Sequence, residues 1–270
     1  MERIFIIGDS YSHGFLDFFK YIKTNNIKTH IFYDKYDLNF KQSLETIQKI
    51  NNSDDDKKLD DIQQHIQKLI KDIEEYKPTI IIFNIGNIDF NQLYFYNAIN
   101  NIPYDVNNNI NDFMNIIRLY TTTCKKAYVV SPLPLFVNDI DVLKSDFLRF
   151  YCKDLYNNLS EDQINVIFDI DKYRKQLNKS NDLLRKKIQN INLHTTLTFI
   201  DFNKYIINDI KRDNNISYNK AYYIRKEKII NTMLPLFRFH INPSQYMETL
   251  LQNNLIPELN NEINNFSNYD

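Results

Sequence analysis

The stretch IFIIGDS, residues 4–10, is the part of the sequence that decides the fold. Four consecutive apolar residues indicate a short strand buried on both faces, as in a parallel sheet covered by helices. Gly8 ends that run, and residues 15–22 then place apolar side chains at helical spacing. The order of strand, tight turn and helix predicts a parallel α/β architecture with Ser10 at the turn.

Further apolar runs repeat this order along the chain. Strands are predicted at residues 28–33, 79–85, 127–131 and 196–201, and helices at residues 60–76 and 111–122. The C-terminal third is predicted to be helical, with a break at residues 237–243. Strands that are hydrophobic throughout and alternate with helices favour a parallel sheet with helices on both faces.

A single α/β domain is predicted for residues 1–270, a length sufficient for a sizeable core. The stretch 141–191 is predicted to be helical. It is either a small cap or insertion over the carboxyl edge of the sheet or an ordinary part of the helical layer. In such sheets, ligands bind at the carboxyl ends of the strands, near the switch in strand order.

The composition is that of a soluble globular protein, with 43% hydrophobic residues and a net charge of −1. This near-neutral balance, without a basic stripe, argues against a nucleic-acid partner. The sequence has neither a signal-peptide pattern nor an apolar run long enough to cross a bilayer, so an intracellular, cytoplasmic location is expected. Cys124 and Cys152 lack the spacing of a metal site or disulfide framework, and no metal or cofactor is expected.

Glycine is rare in this chain. Only Gly8, Gly14 and Gly86 occur, whereas average usage would give about twenty. The sequence is rich in Asn, Ile, Lys, Asp and Tyr, which indicates an AT-rich genome such as that of some giant viruses, protozoa or low-GC bacteria. The remaining glycines are expected where a side chain is not tolerated. Because Gly8 and Gly86 directly follow the two clearest strands, the functional edge of the sheet is predicted beside them.

Ser10 is the candidate nucleophile at this edge. Backbone N–H groups of the following helical turn would stabilise a developing oxyanion. A nucleophilic serine also needs a base, and His240 is the best candidate among the five histidines because it lies in a break between helices. The alternatives are that Asp9 or Ser10 only caps the helix, and that His240 is an ordinary loop residue.

The other histidines are weaker candidates. His13 lies three residues after Ser10 and is interpreted as a substrate contact or a surface residue. Surface positions are also predicted for three further histidines, which are His30, His65 and His194.

Three short motifs resemble the sequence blocks of the SGNH/GDSL hydrolases. IIGDSYS at residues 6–12 resembles the first block, whose serine is the nucleophile in that family. FNIGNID at residues 83–89 resembles the third block, and FHINP at residues 239–243 resembles the last block, which carries the catalytic histidine. The resemblance implies a flavodoxin-like three-layer α/β/α domain. It also implies an esterase or O-acyltransferase that acts through Ser10 and His240 on a small acyl ester, such as an O-acetyl group on carbohydrate.

The supporting residues implied by the resemblance lie around the first and third blocks. They are Gly8, Asp9, Asn84, Gly86, Asn87 and Asp89. Asp89 is predicted either to hydrogen-bond the Ser10 turn or to cap a helix or turn. Asp89 or Asp201 would orient the histidine if the fold brings one of them close. Tyr94 and Tyr96 are candidates for lining an acyl- or sugar-binding cleft, although packing explains them equally well.

The chain also departs from the family pattern. Ile88 occupies the position of the oxyanion-hole asparagine, which Asn84 or Asn87 would have to replace, and the second-block glycine has no counterpart. Phe237 stands where the acid of the triad is usual. Losing one oxyanion donor lowers the rate by about 10²–10³-fold. A protein that keeps the fold for binding or scaffolding is therefore the alternative hypothesis, and another glycan-processing role is a weaker one.

Overall fold

The computed structural model describes residues 1–9, 27–52, 59–132, 159–210, 216–218, 250 and 252–259. Five strands form one parallel sheet, and they are β1 (Glu2–Gly8), β2 (Ile27–Tyr33), β3 (Ile80–Asn84), β4 (Lys126–Val130) and β5 (Thr196–Ile200). Their order in the sheet is β2-β1-β3-β4-β5, which is the flavodoxin-like order. The predicted three-layer α/β/α fold is confirmed, and the strand order reverses between β1 and β3.

Helices connect these strands. They are α1 (Phe40–Asn51), α2 (Asp61–Tyr76), α3 (Leu93–Ile99), α4 (Val106–Tyr120), α5 (Glu161–Ile167), α6 (Ile170–Gln189) and the short α7 (Asn203–Ile206). A π-helical turn, Ile88–Gln92, leads into α3. The caps explain several boundaries: for example, the Asp60 side chain accepts the backbone N–H of Gln63 at the start of α2. No helix among the described residues is long and apolar enough to span a membrane.

Both faces of the sheet are buried, as the apolar strands predict. On β1, Phe5 and Ile7 belong to the core that packs against the helices α1, α2 and α4. The alternate residues Ile4 and Ile6 point to the other face and are also fully buried. On that second face, the carboxylate of Glu258 accepts a hydrogen bond from the hydroxyl of Tyr128 on β4.

The helical stretch predicted at 141–191 is described from residue 159 onward. It is interrupted between α5 and α6, where the Asp169 side chain accepts the backbone N–H of Lys172 and caps α6. The helix α6 packs against β5 and α4. Three apolar side chains of α6, Leu177, Leu184 and Ile188, belong to the core.

The structure differs from the sequence prediction at several elements. The helix α1 was not predicted, although Asn39 and Gln42 form a capping box at its start. The helix α4 begins at Val106 rather than at 111, because the Asp105 side chain accepts two backbone N–H groups there. Within the C-terminal third, a helical prediction is wrong for the antiparallel strands β6 (Ile207–Ile210) and β7 (Ile216–Tyr218). These strands are rich in β-branched isoleucine, which favours extended backbone.

Candidate functional site

The carboxyl ends of β1 and β3 meet where the strand order reverses. Gly8 is paired with Asn84 across these two strands, and the backbone N–H of Asp9 lies 3.4 Å from the carbonyl oxygen of Asn84. The end of β1, in the first motif, and the end of β3, in the third motif, are therefore adjacent. Ser10 and His240, the candidate nucleophile and base, lie outside the described residues.

A buried carboxylate joins the residue that follows β1 to the turn that follows β3. The Asp9 carboxylate accepts the backbone N–H of Asn87 at 3.1 Å and the side-chain Nδ2 of Asn87 at 3.1 and 3.2 Å. Asp9 is 3% exposed and Asn87 is 1% exposed. A charge removed from water needs such donors, so these contacts hold Asp9 and the turn after β3 in one arrangement. We call this pair the Asp9–Asn87 joint.

The Asp9–Asn87 joint limits the hydrogen bonds that the side chain of Asn87 can form with other groups. Its Nδ2 donates to Asp9, so this amide is engaged in holding the turn. Ile88 is buried and apolar, and Asn84 is 2% exposed. None of these three side chains therefore presents a solvent-exposed polar group at this edge.

Gly86 allows the chain to turn sharply after β3. Its φ is 108°, and a Cβ at this position would lie 3.1 Å from Cζ of Phe40 and 3.4 Å from Cδ2 of Phe90. The backbone N–H of Phe90 donates to the carbonyl oxygen of Gly86 at the start of the π-helical turn. Single π turns are frequent at functional sites. This turn was missed because residues 88–92 have no periodic apolar pattern.

Asp89 lies in the π-helical turn and is completely buried. Its carboxyl group accepts the backbone N–H of Phe40, at 3.1 and 3.3 Å from the two oxygens, and thereby attaches the start of α1 to the turn. Burial raises the pKa of Asp89 well above its usual range, while the hydrogen bond from Phe40 opposes that shift. Asp201, the other candidate partner for the histidine, lies after β5 and forms an ion pair with Arg185 at 3.4 Å.

A second buried polar pair follows β2. Nε2 of His65 lies 3.4 Å from a carboxylate oxygen of Asp34, which also accepts two backbone N–H groups. The prediction of a surface position is wrong for His65, whose side chain is 9% exposed and whose ring packs 4.7 Å from that of Phe32. Burial lowers the pKa of His65, and the carboxylate of Asp34 opposes this. The amphipathic pattern of α2 did not indicate that His65 is buried, because its partner Asp34 lies outside this helix, after β2.

One cavity lies at this edge, and a second lies between the helices α3 and α5. The first is about 30 Å³, enough to hold a water molecule, and lies between the sheet and α1, α2 and α4. Asp9, Asp34 and Ser43 are among its lining residues. The second is an open cleft of about 420 Å³ between α3 and α5, within the size range of small-molecule sites.

The second cleft contains one of the two tyrosines that were named as candidates for lining a binding cleft. Tyr94 lines it together with apolar residues, which include Ile99, Leu159, Val166 and Ile167. Tyr96 is 42% exposed and points away from the core.

Among the described residues, no group of three or more His, Cys, Asp or Glu side chains lies close enough to hold a metal ion.

Comparisons with known proteins give structural similarities that include two bacterial proteins. No protein-family model and no curated protein sequence matches the chain. A candidate acylhydrolase from Bacteroides fragilis has 15% identity and a TM-score of 0.49, with 96% of this chain and 88% of that chain covered. A GDSL-like lipase from Bacteroides thetaiotaomicron has 14% identity and a TM-score of 0.45, with 93% and 86% covered. The described strands have the flavodoxin-like order, and the ends of β1 and β3, which lie in the first and third motifs, meet at its switch point.

Proposed function

We propose that this protein is an ester hydrolase or O-acyltransferase that acts on a small acyl ester, with Ser10 as nucleophile and His240 as base. The Asp9–Asn87 joint is the observation that carries the proposal. It fixes the residue that directly precedes Ser10 in the chain, at the edge where sheets of this order bind their ligands. A nucleophile on a fixed turn needs less reorganisation to reach an attacking geometry.

In the proposed reaction, Oγ of Ser10 attacks the carbonyl carbon of the ester while His240 takes the Oγ proton. The tetrahedral intermediate then loses the alcohol, which receives that proton from His240, and an acyl-enzyme remains. Water or a second hydroxyl group attacks the acyl-enzyme with His240 again as base, and Oγ of Ser10 then leaves and takes that proton from His240. The products are a carboxylic acid in hydrolysis or a new ester in acyl transfer. O-acetylated carbohydrate is the substrate class that the motif resemblance favours.

A second candidate function is ligand binding or scaffolding without efficient turnover. The observation in its favour is the engagement of the Asn87 amide with Asp9, together with an apolar residue at position 88. The side-chain oxyanion donor of the family pattern is then missing, which lowers the rate of an acyl transfer by about 10²–10³-fold.

A serine-directed fluorophosphonate probe and p-nitrophenyl acetate distinguish the two functions. We expect the full chain to be labelled within the peptide that contains Ser10 and to release p-nitrophenol. Ser10→Ala should abolish labelling, whereas the matched control Ser12→Ala should retain it. Absence of both labelling and hydrolysis in the unmodified chain would favour the binding function. Adding a sugar acceptor separates transfer from hydrolysis, since transfer adds an acetyl group to the sugar's mass.

A further inference from the structure

A buried row of hydrogen bonds runs from the sheet edge to α6. The hydroxyl of Tyr173 donates to Oδ1 of Asn91 at 2.6 Å. Nδ2 of Asn91 lies 3.5 Å from Oδ1 of Asn87, whose Nδ2 in turn donates to the carboxylate of Asp9. Tyr173 and Asn91 are both completely buried. We call these four residues the Asp9–Tyr173 row.

The chemistry of the groups fixes the direction of every bond in this row. A carboxylate only accepts, so Asn87 presents its Nδ2 to Asp9 and its Oδ1 to Asn91. Asn91 must then use its Nδ2 toward Asn87, which leaves its Oδ1 to accept the hydroxyl of Tyr173. Hydrogen bonds aligned in one direction polarise one another and strengthen the final bond to the carboxylate.

Packing alone does not require the hydroxyl of Tyr173. Its ring lies among aromatic side chains, with centroids 5.0 Å from Phe95 and 5.7 Å from Tyr94. A phenylalanine would fill the same space, but it would remove the hydroxyl that donates to Oδ1 of Asn91, a buried contact worth about 1–3 kcal/mol. The hydroxyl therefore adds a directed polar contact to the packing of the ring, and this contact orients Asn91.

We propose that Tyr173 and Asn91 are positioning residues for the reaction at Ser10. They act through Asn87, whose orientation they determine, and thereby hold Asp9 and the turn that carries the next residue. This inference rests on the proposed function. Small displacements of a nucleophile reduce its rate strongly, so loss of the row should slow the chemical step while substrate binding is preserved.

Tyr173→Phe tests this role, because the substitution removes only the hydroxyl. The control is Tyr76→Phe, which removes a hydroxyl from a half-buried ring at the end of α2, whose centroid lies 5.9 Å from that of Phe5 and which is outside the row. We expect Tyr173→Phe to lower the rate constant of fluorophosphonate labelling and kcat for p-nitrophenyl acetate by about 2–10-fold, the equivalent of one hydrogen bond. KM should be unchanged, and Tyr76→Phe should behave as the unmodified chain in both assays.

Asn91→Ala tests whether the residues act as one unit. The alanine breaks the row at its centre and should lower both rates at least as much as Tyr173→Phe. In the double variant, Tyr173→Phe should cause no further decrease, because the hydroxyl no longer has a route to Asp9. Thermal denaturation of each variant verifies that it is folded at the assay temperature.

The possible outcomes separate this inference from the function on which it rests. If the unmodified chain reacts and Tyr173→Phe matches Tyr76→Phe, the positioning role is wrong and the proposed function stands. Additive losses in the double variant would also overturn it, because independent effects exclude a common row. If the unmodified chain reacts with neither reagent, both the proposed function and the positioning role are overturned.

Discussion

At the scale of single residues, the sheet edge contains positions that tolerate only one kind of side chain. Gly86 has a φ of 108°, a region that side-chain-bearing residues rarely adopt, and Phe40 and Phe90 occupy the space beside its Cα. Asp9 is restricted by its polar contacts. A replacement would have to supply both carboxylate oxygens, because both accept hydrogen bonds from Asn87. The geometry of the edge therefore depends on a few irreplaceable groups.

Gly86→Ala should destabilise the protein by about 1–3 kcal/mol, since the new Cβ both strains the backbone and meets Phe40. Urea denaturation measures this change. The control is Lys77→Gly, which places glycine at a left-handed position with a φ of 50°. That variant should gain about 1 kcal/mol, because the penalty of the left-handed conformation disappears. Equal stability of Gly86→Ala and the unmodified protein would contradict the strain at Gly86.

At the scale of elements, α1 is attached to the π-helical turn by a single buried acid. The Asp89 carboxyl group accepts the N–H of Phe40, the first residue of α1, while Asn39 caps the same end through the N–H of Gln42. The backbone carbonyl of Asp89 also accepts the hydroxyl of Tyr104, in the loop before α4. Three elements of one helical layer therefore meet at this residue.

Asp89 should make the stability of the protein depend on pH. Because burial raises the pKa of Asp89, the folded protein retains this proton to higher pH than the unfolded chain. Its contribution to stability is therefore largest below the unfolded pKa of about 4 and decreases as pH rises through the folded pKa. In Asp89→Asn this titration is absent, so the variant should gain stability relative to the unmodified protein between about pH 4 and pH 7.

Urea denaturation at several pH values provides the measurement for Asp89→Asn. The exposed residue Glu74 supplies the matched control, Glu74→Gln, whose stability should follow that of the unmodified protein. A constant difference in unfolding free energy between Asp89→Asn and the unmodified protein across this range would show that Asp89 is not the titrating group.

At the scale of the whole molecule, the two faces of the sheet are covered by parts of the chain that are far apart in sequence. On the second face, the carboxylate of Glu258 accepts Nζ of Lys126 at 2.7 Å and the hydroxyl of Tyr128 at 2.6 Å. These contacts join the described C-terminal segment to β4. Burial alone would raise the pKa of Glu258, but the hydrogen bonds from Lys126 and Tyr128 outweigh it and lower the pKa.

Glu258→Gln should weaken this attachment by about 1–3 kcal/mol at neutral pH, the contribution of hydrogen bonds to a charged group. Because the folded pKa is lowered, the carboxylate contributes stability above its unfolded pKa of about 4.5 and loses it as pH falls through the folded pKa. The difference in unfolding free energy between Glu258→Gln and the unmodified protein should therefore decrease at acidic pH, as measured by urea denaturation.

The exposed Lys71–Glu75 pair provides the control, since Glu75→Gln should change stability by at most about 0.5 kcal/mol. Equal losses in the two variants would contradict the prediction.

The sequence by itself determined the parallel sheet and the approximate ends of its central strands. A strand buried on both faces must be apolar at every position, so β1, β3 and β4 are visible as continuous runs within a residue or two of their observed ends. Because glycine is rare in this chain, Gly8 and Gly86 were predicted to lie where a side chain is not tolerated. Gly8 is the last residue of β1, and Gly86 follows the last residue of β3 by two positions.

Only the tertiary structure decided which polar groups meet. The pairing of Asp9 with Asn87 spans 78 residues, and that of Asp89 with Phe40 spans 49. The burial of His65 beside Asp34 was likewise invisible. The burial of an apolar side chain can be predicted from its residue type alone. A polar side chain has the same local pattern whether its partner is water or a distant buried group, so its role depends on where the folded chain places that partner.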